Sequence, residues 1–216
     1  MAAQVFAFVL HKDGKADDSA LELVSAARNL FPGAAATAIV TGAGAALDPV
    51  CRDMAASYAE VWKFASDSLA YPNAELIRPL LLKTLPKGCV LLLPHNTFGM
   101  DLGPGLAVKM DAAYLPDVVG IDGLEGATLK VVRQEFNGQA STHVACDISG
   151  GAVINVRSGS FKLDESRPAV ATMASRFSIT CFVCASMSPC TRCPVLGSMG
   201  ICPDTNSRFP SWMAWE

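Results

Sequence analysis

Five cysteines near the C-terminal end are the most chemically distinctive residues of this 216-residue chain. Cys181 and Cys184 form one Cys-x-x-Cys pair, Cys190 and Cys193 form a second pair, and Cys202 follows. Two such pairs can hold a zinc ion or an iron–sulfur cluster, because each pair places two thiolates on one tight turn. Only five residues separate the pairs, whereas zinc ribbons commonly have about 15 to 20. Metal binding by these four cysteines, or redox chemistry of one pair, is therefore one hypothesis among several.

A second polar group follows the apolar run at residues 89–93, within residues 94–101. Open α/β sheets bind ligands at the carboxyl ends of their strands, and this run has the character of a buried strand. Asn96, Thr97 and Asp101 are candidate ligand-binding residues there. The alternative is that the same side chains cap the next helix, since Asn, Thr and Asp are residues that helix caps prefer.

Gly42 and Gly44 form a glycine-containing turn between a predicted strand and a predicted helix. A dinucleotide fingerprint would require Gly or Ala at position 47, which is Leu47 here, and the chain contains no GxxxxGK[ST] phosphate loop. His11 and His143 have no serine or cysteine nucleophile in a recognisable motif. The pattern does not favour a hydrolase or a Walker-type nucleotidase, and adenine-nucleotide binding at this turn and at residues 94–101 is a further hypothesis.

Charge and hydropathy limit the kinds of partner. The chain has 17 basic and 20 acidic residues, a net charge of -3 and 51% apolar residues. A negative chain has no electrostatic attraction for nucleic acid or anionic lipid. The longest apolar runs, such as residues 5–10 and 89–93, are far shorter than the ~20 residues that span a bilayer. The composition predicts a cytoplasmic protein with no nucleic-acid partner and no membrane insertion.

The composition changes sharply near residue 166. Residues 1–165 hold 31 charged side chains, whereas residues 166–216 hold six, with no lysine and five of the eight cysteines. We expect residues 1–165 to form a domain and residues 166–216 to form a separate Cys-rich tail. The low charge of the tail and its content of Ser, Cys, Met, Pro and Trp favour an irregular or disordered extension, or an out-of-frame translation product, over a metal-binding segment.

Alternating apolar runs and helical segments predict the fold of the first 165 residues. Strands are predicted at residues 5–10, 36–41, 61–64 and 89–93. Ser19 and Glu22 have the spacing of a capping box that opens the first helix, and Asp48 with Pro49 opens the second. Uniformly apolar strands separated by helices are typical of a parallel sheet that is covered on both faces. The fold class is therefore α/β, doubly wound and mainly parallel.

From about residue 127 the sequence pattern changes from alternating strands and helices to short strands. Short strands are predicted at residues 128–135, 140–146 and 152–157, separated by Asn137-Gly138 and by Gly150-Gly151. Such dipeptides favour two-residue hairpins. We expect these strands to be antiparallel and to extend or cap the parallel sheet.

Several segments, in order along the chain, resemble the N-terminal domain of the alpha subunit of electron transfer flavoprotein. They are residues 5–15 and 20–28, similar to the first strand, turn and helix of that family, then 97–107, 116–118, 136–140 and 156–161. Among them, Phe136-Asn-Gly-Gln-Ala140 is similar to a Tyr-Gly-Gly-Asn-Ala hairpin, and Val156-Arg-Ser-Gly-Ser-Phe161 is similar to Val-Arg-Pro-Gly-Ala-Phe. The resemblance covers residues 4–161, and no segment after Phe161 resembles the domain that follows in the family.

The resemblance implies a Rossmann-like fold of the adenine nucleotide alpha hydrolase kind and a role in electron transfer. Members of the family carry electrons from flavin dehydrogenases to an acceptor, using FAD held between the second alpha-subunit domain and the beta subunit. We therefore expect a scaffold domain that docks a beta-type subunit in a heterodimer and contacts flavin dehydrogenases through that complex. The chain would be a non-catalytic electron-transfer subunit that does not hold FAD by itself.

Overall fold

The computed structural model describes residues 4–162 and 172–174. All of these residues belong to one compact unit of the chain, which extends over Met1–Thr180. Residues 181–216, with the four cysteines of the predicted metal site, lie outside the described residues. The predicted domain boundary at residue 165 falls between the two described ranges and stays a prediction.

The first half of the domain alternates strands and helices. Its strands are β1 (Val5–Val9), β2 (His11–Lys12), β3 (Lys15–Ala16), β4 (Ala36–Gly42), β5 (Glu60–Ala65) and β6 (Val90–Pro94). Its helices are α1 (Ser19–Leu30), α2 (Leu47–Met54) and α3 (Ala74–Thr84), with short 3-10 turns at Gly44–Ala46 and Asp67–Leu69. The four apolar runs of the sequence thus form β1, β4, β5 and β6, and Pro79 is accommodated inside α3.

The second half begins with one long helix and continues mainly as strands. The helix is α4 (Thr97–Met110), and the strands are β7 (Ala113–Glu125), β8 (Thr128–Glu135), β9 (Ala140–Asp147), β10 (Ala152–Val156) and β11 (Thr172–Ala174). A 3-10 turn at Phe136–Gly138 joins β8 to β9, which confirms the hairpin predicted at Asn137-Gly138.

Nine strands form one sheet in the order β11-β5-β4-β1-β6-β10-β7-β8-β9. The seven strands from β11 to β7 are parallel, and β8 and β9 continue the sheet in antiparallel pairing. On one side of β1 lie β4 and then β5. On the other side lie β6, β10 and β7. The predicted fold class, a doubly wound and mainly parallel α/β sheet with added antiparallel strands, is confirmed.

Helices cover the parallel strands on both faces and create two apolar cores. On one face Val5, Ala7 and Val9 of β1 pack with Leu23 of α1 and Val50 of α2. On the other face Phe6 and Phe8 of the same strand belong to a core that also contains side chains of α3 and α4. Side chains of a strand alternate between its two faces, so a strand buried on both faces is apolar at nearly every position.

The predicted hairpin at Gly150-Gly151 is wrong. β10 does not pair with β9 but lies in parallel between β6 and β7. All five residues of β10 are buried, as a strand at the centre of a covered sheet requires. At Gly151 the backbone has φ +98° and passes so close to the carbonyl oxygen of Cys89 that a Cβ would lie 2.6 Å from it. The glycine serves this close approach rather than a two-residue turn.

The predicted capping box at the start of α1 is also not formed. Ser19 is the first helical residue, and its backbone N–H donates to the Asp17 carboxylate at 2.9 Å. The Glu22 carboxylate instead accepts the backbone N–H of Gly159 at 2.7 Å and is buried. Glu22 therefore fastens the loop after β10 to α1.

Over the described part of the chain, every helix is too short or too polar to traverse a lipid bilayer.

Candidate functional site

The predicted ligand-binding residues lie at the carboxyl end of β6, at the edge of the sheet where open α/β folds place ligands. Asn96 is the N-cap of α4, and its side-chain oxygen accepts the backbone N–H of Gly99 at 2.9 Å. Thr97 is the exposed first residue of that helix. Asp101 is exposed, and its backbone oxygen accepts a hydrogen bond from Arg78 Nη2 at 3.0 Å. The capping role that the sequence offered as an alternative is thus present at Asn96.

An open groove of about 560 Å³ brings Asn96, Thr97 and Asp101 together. Tyr71 and Asn73, from the turn that precedes α3, line its opposite side. The groove offers an amide nitrogen, a hydroxyl and a carboxylate to a polar ligand. Ligand binding by these three residues stays a prediction.

The cap at Asn96 has a measurable contribution to stability. Because Asn96→Ala leaves the Gly99 N–H without its acceptor, we expect the free energy of unfolding to fall by about 1 kcal/mol. Asn96→Asp retains an acceptor beside the positive end of the α4 dipole and is expected to stay within about 0.5 kcal/mol of the wild type. Urea unfolding followed by circular dichroism measures both, and an Asn96→Ala variant as stable as the wild type would contradict the capping role.

A half-buried ionic cluster that the sequence did not predict lies nearby, within β7 and directly after β6 and β10. Arg157 donates to Asp117 through two hydrogen bonds, from Nε to Oδ1 at 2.7 Å and from Nη2 to Oδ2 at 2.6 Å. Arg157 Nη1 also donates to Gln134 Oε1. His95 Nε2 lies 3.6 Å from Asp117 Oδ1. The cluster therefore joins three parallel strands to the antiparallel strand β8.

The cluster determines the charge state of Asp117, whose side chain is only 15% exposed. Burial by itself would raise the pKa of this carboxyl, but the hydrogen bonds from Arg157 and the charges of His95, Arg157 and Arg133 outweigh it and lower the pKa below its ordinary value. The same hydrogen bonds raise the pKa of Arg157. Asp117 is thus an anion that the Arg157 guanidinium holds through two hydrogen bonds.

Local sequence patterns do not reveal this cluster, because its members are far apart in the chain. One signal was available: Asp117 lies in residues 116–118 and Arg157 in residues 156–161, two of the segments that carry the family resemblance. Asp117 also has φ +59°, a left-handed conformation that Asp and Asn tolerate better than other non-glycine residues.

Side chains of the protein occupy the space beside the glycine turn at the end of β4, a candidate position for a nucleotide. His11 Nε2 donates to the Thr41 carbonyl oxygen at 2.8 Å. A Cβ on Gly42 would lie 2.9 Å from the same ring nitrogen and 2.8 Å from Leu47 Cδ2. The absence of a side chain at Gly42 therefore serves the packing of His11 and Leu47 against the turn.

Among residues 4–162 and 172–174, no cluster of three or more His, Cys, Asp or Glu side chains could hold a metal ion. Cys51 and Cys89 are buried free thiols, and burial raises the pKa of Cys89 to about 11. Burial also raises the pKa of Cys51, so both thiols are mainly protonated at neutral pH.

Comparison with known proteins gives one family. The family described as "Electron transfer flavoprotein domain" matches residues 5–178, a range that contains every described strand and helix. No curated protein matches the chain. The match does not favour a metal-binding redox protein or a separate adenine-nucleotide-binding protein. The parallel sheet, its antiparallel extension and the match over most of the chain lead to one conclusion: this protein belongs to the electron transfer flavoprotein domain family.

Proposed function

We propose that this chain is an alpha-subunit-like component of an electron transfer flavoprotein complex, and that its α/β domain is a scaffold that docks a beta-type subunit. In this proposal the complex carries electrons between flavin dehydrogenases and an acceptor in the cytoplasm. The chain contributes binding surface rather than a catalytic group. Membership of the family supports the redox complex, and the distribution of exposed apolar side chains supports the docking role.

The outer surface of α3 and α4 concentrates the exposed apolar side chains of the described residues. Four of the five exposed large apolar side chains lie on these two helices or on the turn before α3. They are Tyr71, Leu76, Met100 and Val108. Val108 is 82% exposed and Tyr71 is 78% exposed. Because exposed apolar groups gathered on one layer typically mark a protein-binding surface, we assign docking of the beta-type subunit to this α3–α4 face.

The helix N-termini of the described domain support the expectation that the chain does not hold FAD by itself. A pyrophosphate binds at a helix N-terminus whose backbone N–H groups are free, usually after a glycine-rich loop. All four helices of the described domain begin with an acidic residue or a side-chain cap: Asp18 at α1, Asp48 at α2, Asn73 at α3 and Asn96 at α4. The acidic residues disfavour an anion, and the two Asn side chains each accept one backbone N–H, that of Glu75 and that of Gly99. We therefore propose that the FAD of the complex is held outside this domain.

Co-expression tests the proposed subunit role. With an electron transfer flavoprotein beta-type subunit from the same source, we expect the full chain to co-purify as a one-to-one heterodimer. The complex should stay intact during gel filtration at micromolar concentration. Elution of the two proteins as separate species at that concentration would contradict the proposal.

Val108→Glu tests whether the α3–α4 face is the docking surface. A buried charge in the core of an interface is expected to cost roughly 2 kcal/mol, which weakens the heterodimer about thirtyfold. Phe136→Glu is the matched control, because Phe136 is 75% exposed but lies in the turn between β8 and β9, away from α3 and α4. Titration of the beta-type subunit, followed by isothermal calorimetry, measures both affinities. Equal weakening by the two variants would contradict the assignment of this face.

A further inference from the structure

β9 has a free edge that is ready to accept another strand. Within the described sheet it pairs only with β8, through eight consecutive residue pairs from Ala140 to Asp147 without a bulge. The neighbouring ladder between β7 and β8 shifts register twice. At the opposite side of the described sheet the last strand, β11, has only three residues. β9 is therefore the long, regular edge of this sheet.

The phase of the β8–β9 ladder shows which backbone groups point outward. The N–H of Ile148 donates to the carbonyl oxygen of Ala127 at 2.9 Å, one position beyond the last pair of the ladder. Antiparallel pairs alternate between bonded and non-bonded, so even-numbered residues of β9 bond to β8. The odd-numbered residues direct their N–H and C=O groups to the free edge, and they are Ser141, His143, Ala145 and Asp147.

This edge lacks the features that normally prevent strand pairing. Proteins protect edge strands with proline, lysine, bulges or short length. Residues 140–147 contain no proline and no lysine, and the ladder to β8 is regular. The side chains of the four odd-numbered residues are exposed, so no described group of the protein covers their face of the strand. Such an edge is a template for a further antiparallel strand.

We propose that β9 pairs with β9 of a second copy of this chain, in antiparallel orientation about a twofold axis at Ala145. This register sets Ala145 opposite Ala145 and matches outward-directed residues with one another. It also places His143 of each copy opposite Asp147 of the other. His143 Nδ1 already contacts Asp122 Oδ2 at 2.6 Å, so in the doubly protonated ring Nε2 is the donor to the second carboxylate.

The alternative registers are less complementary. One places His143 opposite Ala145 and loses both His–Asp pairs. Another places the two His143 side chains opposite each other, where protonated rings repel. Because a symmetric dimer uses the same surface on both copies, the strand must be complementary to itself, and only the Ala145-centred register gives both pairs.

The expected dimer is weak, because one pair of strands buries little area. Interfaces below about 1,200 Å² are typical of transient complexes, so dissociation in the micromolar range is expected. The homodimer uses β9, whereas the proposed beta-subunit docking uses α3 and α4. The inference therefore does not rest on the proposed function, and the two can fail separately.

Sedimentation velocity of the full chain with a reducing agent tests the dimer, over roughly a hundredfold range of micromolar concentration. The wild type should change from monomer to dimer. Ala145→Pro removes an outward N–H but no bond to β8, which an edge strand tolerates, and should weaken the dimer tenfold or more. Ala145→Val keeps the N–H and should dimerise like the wild type. A wild type that stays monomeric, or a folded Ala145→Pro variant that still dimerises, would overturn the proposal.

Cross-linking tests the register and does not depend on the folding of the proline variant. Facing residues of an antiparallel pair lie within the Cα distance that a disulfide spans. Under mild oxidation Ala145→Cys should give much more covalent dimer than Ser141→Cys or the wild type, whose native cysteines set the background. Equal cross-linking of Ser141→Cys would overturn the register. Loss of beta-type subunit binding in Ala145→Pro, without any homodimer in the wild type, would assign the edge to that subunit instead.

Discussion

Gly99→Ala is expected to destabilise the domain more than any other single methyl addition to α4. A Cβ at Gly99 would lie 2.0 Å from the carbonyl oxygen of Pro94 and 3.2 Å from its carbonyl carbon. Both are backbone atoms at the end of β6, so no side-chain rotation relieves the contact. α4 would have to move away from the sheet, and the packing of Leu102 and Leu106 against the core would be lost.

The expected loss of stability is roughly 3 kcal/mol, because the overpacking exceeds the gain of about 1 kcal/mol that alanine provides in a helix. Urea unfolding of the wild type and the variant gives this difference. The same substitution at two other glycines of α4 provides a graded comparison. A Cβ on Gly103 would meet the Tyr114 ring at 2.7 Å, and a Cβ on Gly105 would meet the flexible guanidinium of Arg78 at 2.8 Å.

Gly103→Ala is expected to cost about 1 to 2 kcal/mol, since the Tyr114 ring can shift only partly within the packed layer. Gly105→Ala should be nearly neutral, because the end of the Arg78 side chain can move. The order Gly99, Gly103, Gly105 is the test. If Gly99→Ala were as mild as Gly105→Ala, the close contact of α4 with the end of β6 would not limit stability.

The close approach of α4 also explains a buried polar residue. Asn155 of β10 is fully buried, and its Nδ2 donates to the Tyr114 hydroxyl at 3.2 Å. Its Oδ1 lies 3.0 Å from the place that a Cβ on Gly103 would take. The glycines therefore leave room for an amide between the helix and the sheet. The sequence shows Asn155 only as a polar interruption in an apolar run.

Several strands could be predicted from the sequence because β1, β6 and β10 are buried on both faces. β1 and β6 are five-residue apolar runs whose every residue is buried, a pattern typical of strands covered on both faces. Position in the sheet was harder to predict. β10 has the same uniform burial, but the two glycines before it favoured a hairpin. The pairing of β10 with β6 and β7 depends on residues that are distant in the chain.

The polar residues of the site also differ in whether the sequence could predict their contacts. Asn96, Thr97 and Asp101 could be predicted to lie together because six consecutive residues at the start of one helix contain them all. His95 follows β6, Asp117 lies in β7 and Arg157 follows β10, so the three meet only in the folded sheet. The capping box failed for a related reason: Glu22 meets Gly159, 137 positions away in the sequence. Local patterns predict local contacts, and these groups form contacts between elements.

Asp117→Asn is expected to reduce the free energy of unfolding by about 2 kcal/mol at pH 7, because it removes the charge that pairs with a partly buried guanidinium. Asparagine keeps the backbone conformation accessible, since it tolerates the positive φ of +59° at this position. Asp117→Asn therefore removes the negative charge without changing the backbone conformation. Asp101→Asn is the matched control, because Asp101 is exposed and its carboxylate lies 4.0 Å from Arg78, and it should change stability by less than about 0.5 kcal/mol.

The dependence on pH follows from the direction of the pKa shift. Asp117 has a lower pKa in the folded protein than in the unfolded chain, because Arg157 and the neighbouring cations stabilise its anion. Its stabilising contribution is therefore complete above the unfolded pKa of about 3.9 and is lost as the pH falls through the lower folded value. The stability difference between the wild type and Asp117→Asn should be constant from neutral pH down to about pH 5 and should shrink below about pH 4.

Arg157→Lys provides the complementary test, because lysine keeps the positive charge but cannot form the two parallel hydrogen bonds that Arg157 donates to Asp117. We expect the free energy of unfolding of this variant to fall by about 1 kcal/mol at pH 7. Because Asp117 is still present, part of the decrease in stability at acid pH should remain, whereas Asp117→Asn has no titrating group at this site. Urea unfolding at a series of pH values between about 3 and 7 measures all four proteins. A difference between wild type and Asp117→Asn that persists unchanged at the acid end would show that packing, and not the ion pair, stabilises this junction of β6, β7 and β10.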